Sequence, residues 1–487
     1  MLNYIYNALH SFRHIFSKRS TWLVFCMVVL GFCSADQIIG ISSFCRFWGL
    51  GERGYYAFLI FFRSSAYALD PLIYQWAAFV LSQNVLIKVS GRAILLGDHT
   101  YVPKDGRRMP GVVTLHQDSE TQSKPSYFRG HCVGAIGLLI GTLAASFSLP
   151  LALKIHQGLI HISQEKEEKE NKKTLGTRIV QMALDIAIRH DMLCILVLDA
   201  FFPSAAVFKL ASSIWSVNLK QPLLTLIIRA KKNYVAYFEA EKPEEKKAGR
   251  PPIYGEKVKV MEIFDHPHLF SIVKCRVYGK VEEVCIMAIN LRWKPAASII
   301  RFVFAITSHG PIILMCSDLD QNPILALQLY CARTRIEIMF DMLKHLISAF
   351  RYRFWSKRMP LHSRKPKKNR GLKKPSSQGL KTVQRCWEAC ERFAMLGAIS
   401  LGLLQIISLK YDNSVWSHFN AFLRTRSREL PSERTVKHVI SRLVLSNFLS
   451  LAPRAIMREI RERYFGGKYP PQNVSLPQKL DDRIDSG

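Results

Sequence analysis

The sequence predicts an α/β protein: a mixed core interrupted by a β-rich insertion and flanked by helical regions at both ends. Three observations predict it. Short apolar strands and one amphipathic helix alternate over residues 91–218. Seven segments with period-2 alternation follow within 219–322. Residues 1–90 and 385–465 carry apolar positions at helical spacing instead.

Residues 1–90 read as three or four short helices, punctuated at Ser20-Thr21, Asp36 and Asp70-Pro71. Trp22, Trp48 and Trp76 belong in their packing. The stretch from Gly40 to Leu50 has a faint helix-turn-helix pattern, so this region either binds DNA ends or only packs. From residue 91 the pattern changes. Ala93 to Gly97 is a short apolar strand that ends in Asp98. The run Cys132 to Ile155 is long enough by count to cross a bilayer, yet Gly134, Gly137, Gly141, Ser146, Ser148 and Pro150 interrupt it. It reads as two strands breaking near Gly141-Thr142, because strands covered on both faces are continuously apolar. Trp22 to Phe32 is too short to span, and Met1 to Ser20 lacks the apolar core of a secretory signal.

Beyond the charged stretch Glu165 to Lys173, a helix over Thr174 to His190 presents Ile179, Ala183 and Ile186 on one face. The strand Cys194 to Leu198 then ends in Asp199. Strand, strand, strand, helix, strand opens a ribonuclease-H-like core, whose first and fourth strands lie side by side. Acids ending those two strands become neighbours. The insertion strands are Leu223 to Ala230, Tyr234 to Ala240, Val258 to Phe264, Ser271 to Val277, Glu282 to Ile289, Ile299 to Thr307 and Pro311 to Cys316. Residues 323–356 return to a core helix, 357–384 form a basic linker, and 466–487 a polar tail.

The chain of 487 residues carries a formal charge of +31, from 68 Lys and Arg against 37 Asp and Glu. That excess points to a polyanionic partner, nucleic acid or an anionic surface. Eleven cysteines stand without any Cys-x2-Cys pair, as in a reducing cytosol, so the expected localisation is cytoplasmic. Cys386 and Cys390 sit one helical turn apart with no partner pair to complete a zinc site.

In the core helix, Tyr330, Arg333, Glu337 and Lys344 fall within roughly 60° of one another at helical spacing. Ile336, Phe340, Leu343 and Ile347 form the apolar stripe beside them. A solvated charged face would give such a stripe. So would a site that grips phosphate and a metal ion together.

Tyr-x2-Arg-x3-Glu-x6-Lys is the signature of bacterial insertion-sequence transposases of the DDE type, the insertion-sequence-four group, and the chain resembles them. Tyr330, Arg333, Glu337 and Lys344 match without gap. Gly97 to Val112, Leu115-His116-Gln117 with Lys124-Pro125, and Ile195 to Ser204 are similar to that group as well, so the likeness spans roughly residues 20 to 460. The resemblance implies Asp98, Asp199 and Glu337 as catalytic acids and metal ligands. Each Asp alone would also suit a turn or helix cap. It implies Mg²⁺, two ions with Mn²⁺ as substitute, since clustered carboxylates call for a hard cation. Tyr330, Arg333 and Lys344 would contact phosphates near the cleaved end, and Lys104, Arg107 and Arg108 are further candidates for DNA contacts.

Some relatives stack a flipped base on a Trp ahead of the acid-bearing helix. Here Pro311 to Leu319 has no aromatic residue, and Trp293 lies outside that position. The expected partners are double-stranded DNA, at transposon ends and target, and a second copy of the chain, with no membrane. Arg250 in Gly249-Arg-Pro-Pro reads as a turn rather than a minor-groove hook, and Asp265-His266-Pro267-His268 as a loop. Two alternatives stay open: an inactive transposase-derived DNA-binding protein, and a basic membrane protein.

Overall fold

The computed structural model describes residues 1–116, 126–162, 173–216, 218–240, 252–365, 373–422 and 429–449, with a few positions between 456 and 463. Gln117, Lys124-Pro125, most of Glu165 to Lys173, Arg250, the middle of the basic linker and the polar tail lie outside the described residues. Described strands join in one mixed sheet of thirteen, flanked by helices.

The sheet opens with β1 (Lys88–Val89), β2 (Arg92–Pro103), β3 (Val113–His116), β4 (Tyr127–Gly141) and β5 (Ser146–Ile155). Their pairings with one another are all antiparallel. β4 is long enough to fork the edge, pairing β3 through its first residues and β5 through its last. The run from Cys132 to Ile155 is therefore two buried strands, separated by a turn over Thr142–Ala145 as the glycine and serine spacing predicts. Five helices precede the sheet: α1 (Leu2–Ser11), α2 (Arg19–Ser34), α3 (Ile41–Trp48), α4 (Glu52–Arg63) and α5 (Leu69–Leu81). Trp22, Trp48 and Trp76 are all buried in their packing.

Helix α6 (Leu175–Arg189) starts at Thr174, whose hydroxyl accepts from the Thr177 amide, and buries Ile179, Ala183 and Ile186. It carries the chain across to β6 (Cys194–Leu198), which pairs parallel to β2. After α7 (Ala205–Ala211), β7 (Leu224–Arg229) pairs parallel to β6. The local strand order is thus β5-β4-β2-β6-β7, three antiparallel strands followed by two parallel to β2.

The β-rich segment differs from a separate insertion in one respect. Its first strand, β7, sits inside the core order, and the rest extends the same sheet through β13 (Gly310–Cys316). Leu314, Met315 and Cys316 pair with Arg229, Ile228 and Ile227, so the two parts share a sheet. The remaining strands are β8 (Val235–Glu239), β9 (Tyr254–Lys259), β10 (Ser271–Val277), β11 (Lys280–Trp293) and β12 (Ser298–Thr307). The strand expected over Val258 to Phe264 ends early. Val260 and Ile263 turn into the protein, and the chain coils into a 3-10 turn over Glu262–Asp265.

Helices α8 (Pro323–Ala332) and α9 (Thr334–Asp341) return to the core. A long helix, α10 (Ser377–Lys410), follows, then α11 (Asp412–His418) and α12 (Glu433–Leu449). Among the described residues α10 is the one helix long and apolar enough to cross a membrane, and 89% of its most apolar window is buried within the protein. It packs against α2, α4, α12 and β5. Gly402 allows this, since a Cβ there would strike the Trp76 ring, whose indole donates to the Pro150 carbonyl at 2.8 Å. The helix also starts inside the stretch read as linker, at Ser377.

Candidate active site

Two adjacent parallel strands set the level of the first two acids. Leu96 in β2 pairs with Val197 in β6, so two residues further on Asp98 and Asp199 stand abreast. Asp98 lies inside β2, opposite Ala135, because the strand runs past Gly97 to Pro103. Asp199 is the first residue after β6.

Glu337 arrives from α9, which packs on β2 and β5. The preceding helix α8 is started by Asn322, whose side chain accepts from the Leu325 amide at 3.0 Å, with Pro323 at its first turn. The single helix expected through Tyr330, Arg333, Glu337 and Lys344 is built from three joined pieces. Arg333 keeps helical angles (φ −56°, ψ −30°), but its amide bonds in a tight turn to the Tyr330 carbonyl at 3.0 Å. Beyond Asp341 the helix widens to a π turn over Met342–Leu346, closed by Ile347 donating to Met342 at 2.9 Å. Ile336, Phe340, Leu343 and Ile347 are buried, as their spacing predicts.

Arg333 gathers the acids. Its Nη2 donates to Asp98 Oδ2 at 2.8 Å and lies 3.5 Å from Asp199 Oδ2, and its Nη1 donates to Glu337 Oε1 at 2.8 Å. The guanidinium side chain is 8% exposed, against 20% for Asp98, 39% for Asp199 and 61% for Glu337. The arginine is thus the buried hub and Glu337 the outer rim. The Tyr330 hydroxyl donates to Asp199 Oδ1 at 3.2 Å and receives Arg229 Nη1 at 3.5 Å. Burial and then Asp199 push the Tyr330 hydroxyl pKa up, so it remains a donor.

Burial raises the Asp98 carboxyl to about 6; Arg333 and the His99 amide oppose the rise, while Asp199 and Glu337 add to it. Burial works to lower the Arg333 pKa, but the three carboxylates outweigh it and the net shift is upward.

Behind Asp98 lies a pair of histidines that the sequence reading missed. His99 Nε2 and His156 Nδ1 are 2.9 Å apart, and His99 stacks on Phe202. Burial lowers the His99 pKa to about 3, so this ring is neutral at pH 7. The available signal was Gly134. It pairs with His99 across the sheet, and the His156 ring fills the space that a side chain there would take.

The other expected contacts are dispersed. Lys344 lies in the π turn and lines a cleft of about 1420 Å³ with His99, Arg107 and Arg108. Lys104 is buried; its ammonium donates to the Phe350 carbonyl and, at 3.1 Å, to that of Tyr352. It is committed inside the fold. Arg107 is exposed and donates to the His362 carbonyl at 3.2 Å, while Arg108 holds that of Met359 at 3.0 Å. Trp293 is buried between Phe208 and Tyr234.

Among the described residues no three or more His, Cys, Asp or Glu side chains are placed to hold a metal ion as they stand. At this cluster the carboxylates turn to Arg333. Compared with protein-family models and with curated proteins, the chain matches none.

Proposed function

We propose that the protein is a DNA transposase that binds the ends of its mobile element, cuts them and joins them to target DNA. The observation that carries the reading is the meeting of Asp98, Asp199 and Glu337, from three distant parts of the chain, around Arg333. The strand order β5-β4-β2-β6-β7, with its parallel and antiparallel pairings, supports a ribonuclease-H-like core. The charge of +31 suits a DNA partner.

Three carboxylates against one guanidinium leave two negative charges unbalanced when all are ionised. Such a donor set, hard oxygens with a double charge deficit, fits Mg²⁺ in kind. Asp98, Asp199 and Glu337 would hold the ions on turning from Arg333. When bound, two Mg²⁺ ions, or Mn²⁺ in their place, activate an attacking hydroxyl and stabilise the leaving oxygen. The chain's own groups do the rest. Arg333 and Tyr330 fix the carboxylates, Arg333 is shaped to receive a phosphate in a fork, and Lys344 presents a point charge from the cleft wall. The neutral His99–His156 pair keeps positive charge away from the back of Asp98. Two ends must be cut together, which calls for a dimer in the synaptic complex and a cytoplasmic, nucleoid-bound protein.

The test is strand transfer. Labelled DNA carrying an element end should join to a plasmid target with Mg²⁺ present and fail to do so with Asp199→Asn. Joining by metal-free protein would refute the reading. The ion pairing of all three acids to Arg333 favours a second reading, an inactive DNA-binding relative. It predicts a footprint without cleavage in Mg²⁺.

A further inference from the structure

Between the acid-bearing helix and the linker, the chain runs extended outside any sheet from Arg351 to Ser356, between turns at Ala349-Phe350 and Lys357-Arg358. From Phe350 to Lys357 its side chains alternate: Phe350, Tyr352, Phe354 and Ser356 are buried, while Arg351, Arg353, Trp355 and Lys357 face outward. It is pinned from behind. Lys104 holds the Phe350 and Tyr352 carbonyls, and His131 Nδ1 meets the Tyr352 hydroxyl at 2.7 Å. The Ser356 amide donates to the Arg108 carbonyl at 3.1 Å, and Arg63 Nη2 to that of Trp355 at 3.0 Å. A strap fixed at this many points presents its outer face in one orientation.

That outer face borders the cleft that begins at His99 and Lys344, beside the acids. Among the described residues lining it, Asp105 is the acid present, against Arg107, Arg108, Lys344, Arg351, Arg353 and Arg364. Among the described residues no side-chain hydrogen bond or ion pair engages Arg351 or Arg353. Trp355 stands between the cations with 49% of its surface exposed. A single exposed aromatic is ordinary. One held rigidly between Arg353 and Lys357, over a basic cleft, combines a stacking platform with an electrostatic track.

We propose that this strap binds single-stranded nucleic acid: Arg351 and Arg353 follow successive phosphates, Trp355 stacks on an unpaired base, and Lys357, at the turn that ends the strap, meets the backbone further along. Alternate side chains on an extended chain recur about every 6.6 Å, comparable to the step between phosphates of one strand. A base within a duplex has both faces covered by its neighbours, so Trp355 selects an unpaired one. The track leads toward Asp98 and so deepens the transposase reading, in which the strand is the opened end of the element. Binding itself does not require the acids to act.

The experiment measures anisotropy of labelled oligo(dT) and of a duplex of equal length, with the full chain in EDTA. Trp355→Ala should weaken oligo(dT) binding about 10- to 100-fold and duplex binding far less, while Trp355→Phe retains most of the affinity. The double variant Arg351→Gln/Arg353→Gln should reduce the salt slope on single strands by about 1.4. Unchanged oligo(dT) affinity in Trp355→Ala overturns the proposal, and so does an equal loss on duplex and single strand. If Trp355-dependent binding is present but the wild type cuts no DNA in Mg²⁺, the strap proposal stands and the transposase reading falls. If Glu337-dependent cleavage is present with Trp355 irrelevant to single strands, the reverse holds.

Discussion

Replacing Arg333 by Gln removes the guanidinium that joins three carboxylates, and the consequences can be worked from the exposure of each. The bond to Asp98 is sheltered and counts nearly in full, about 1.5–3 kcal/mol for a hydrogen bond between charged groups. The pairs to Asp199 and Glu337 involve more exposed carboxylates and contribute about 0.5 kcal/mol each. The variant should therefore lose about 3 kcal/mol, or about 3 °C in Tm for a chain of this length. Thermal unfolding in EDTA measures it. Mg²⁺ should then recover most of the loss in the variant and shift the wild type less, because the three carboxylates lack a competing cation.

The pH dependence has a definite sign. Asp98 is raised to about 6 in the folded protein by burial, above its unfolded value of about 4. As pH falls through 6 the folded form takes up the proton first, so this group adds stability between about pH 6 and 4. In Arg333→Gln the carboxyl rises further and the gain starts at higher pH, so the gap to wild type narrows by pH 5. A variant as stable as wild type in EDTA, or one indifferent to Mg²⁺, would refute the coupled acid cluster.

Other outcomes follow from single contacts. A Cβ on Gly97 would lie 2.6 Å from Ile179 and 2.7 Å from Leu198, so Gly97→Ala should cost about 1–3 kcal/mol in urea unfolding and depress DNA cleavage by shifting Asp98 and Asp199 apart. Lys437 donates to the Leu346 carbonyl at 2.9 Å, at the end of the π turn, and burial lowers its pKa to about 8. Between about pH 8 and 10 the unfolded chain holds the extra proton, so wild-type stability should rise with pH relative to Lys437→Met, read by denaturant midpoints at each pH. A parallel pH dependence of the two proteins would show that the ammonium is not the cause.

Much of the strand layout was legible because burial on both faces writes itself as apolar runs. Cys194 to Leu198 has the limits of its apolar run, and Ser271 to Val277 those read from its alternation. Gly141 marks the β4–β5 turn. The level of Asp98 with Asp199 needed only the parallel pairing of two strands. What escaped reading depended on contacts distant in sequence. The merging of β7 and β13 into one sheet is a matter of which edges meet, and nothing local in Leu224–Arg229 announces it. Lys104 reads as a surface cation but lies under the strap, held by carbonyls about 250 residues away. The His99–His156 contact leaves only an indirect trace, the glycine at 134 opposite His99, because the two histidines are 57 residues apart. Tight and widened turns on either side of Glu337 leave no trace in a 3.6-residue periodicity.

The most direct test of the central claim is cleavage of DNA from the flanks of the protein's own gene, with Mg²⁺, by wild type beside Glu337→Gln and Asp98→Asn. The account predicts cuts at defined boundaries by the wild type, and loss of cutting with DNA binding retained in both variants. Cutting that survives either substitution, or bound DNA left intact by the wild type, would contradict it.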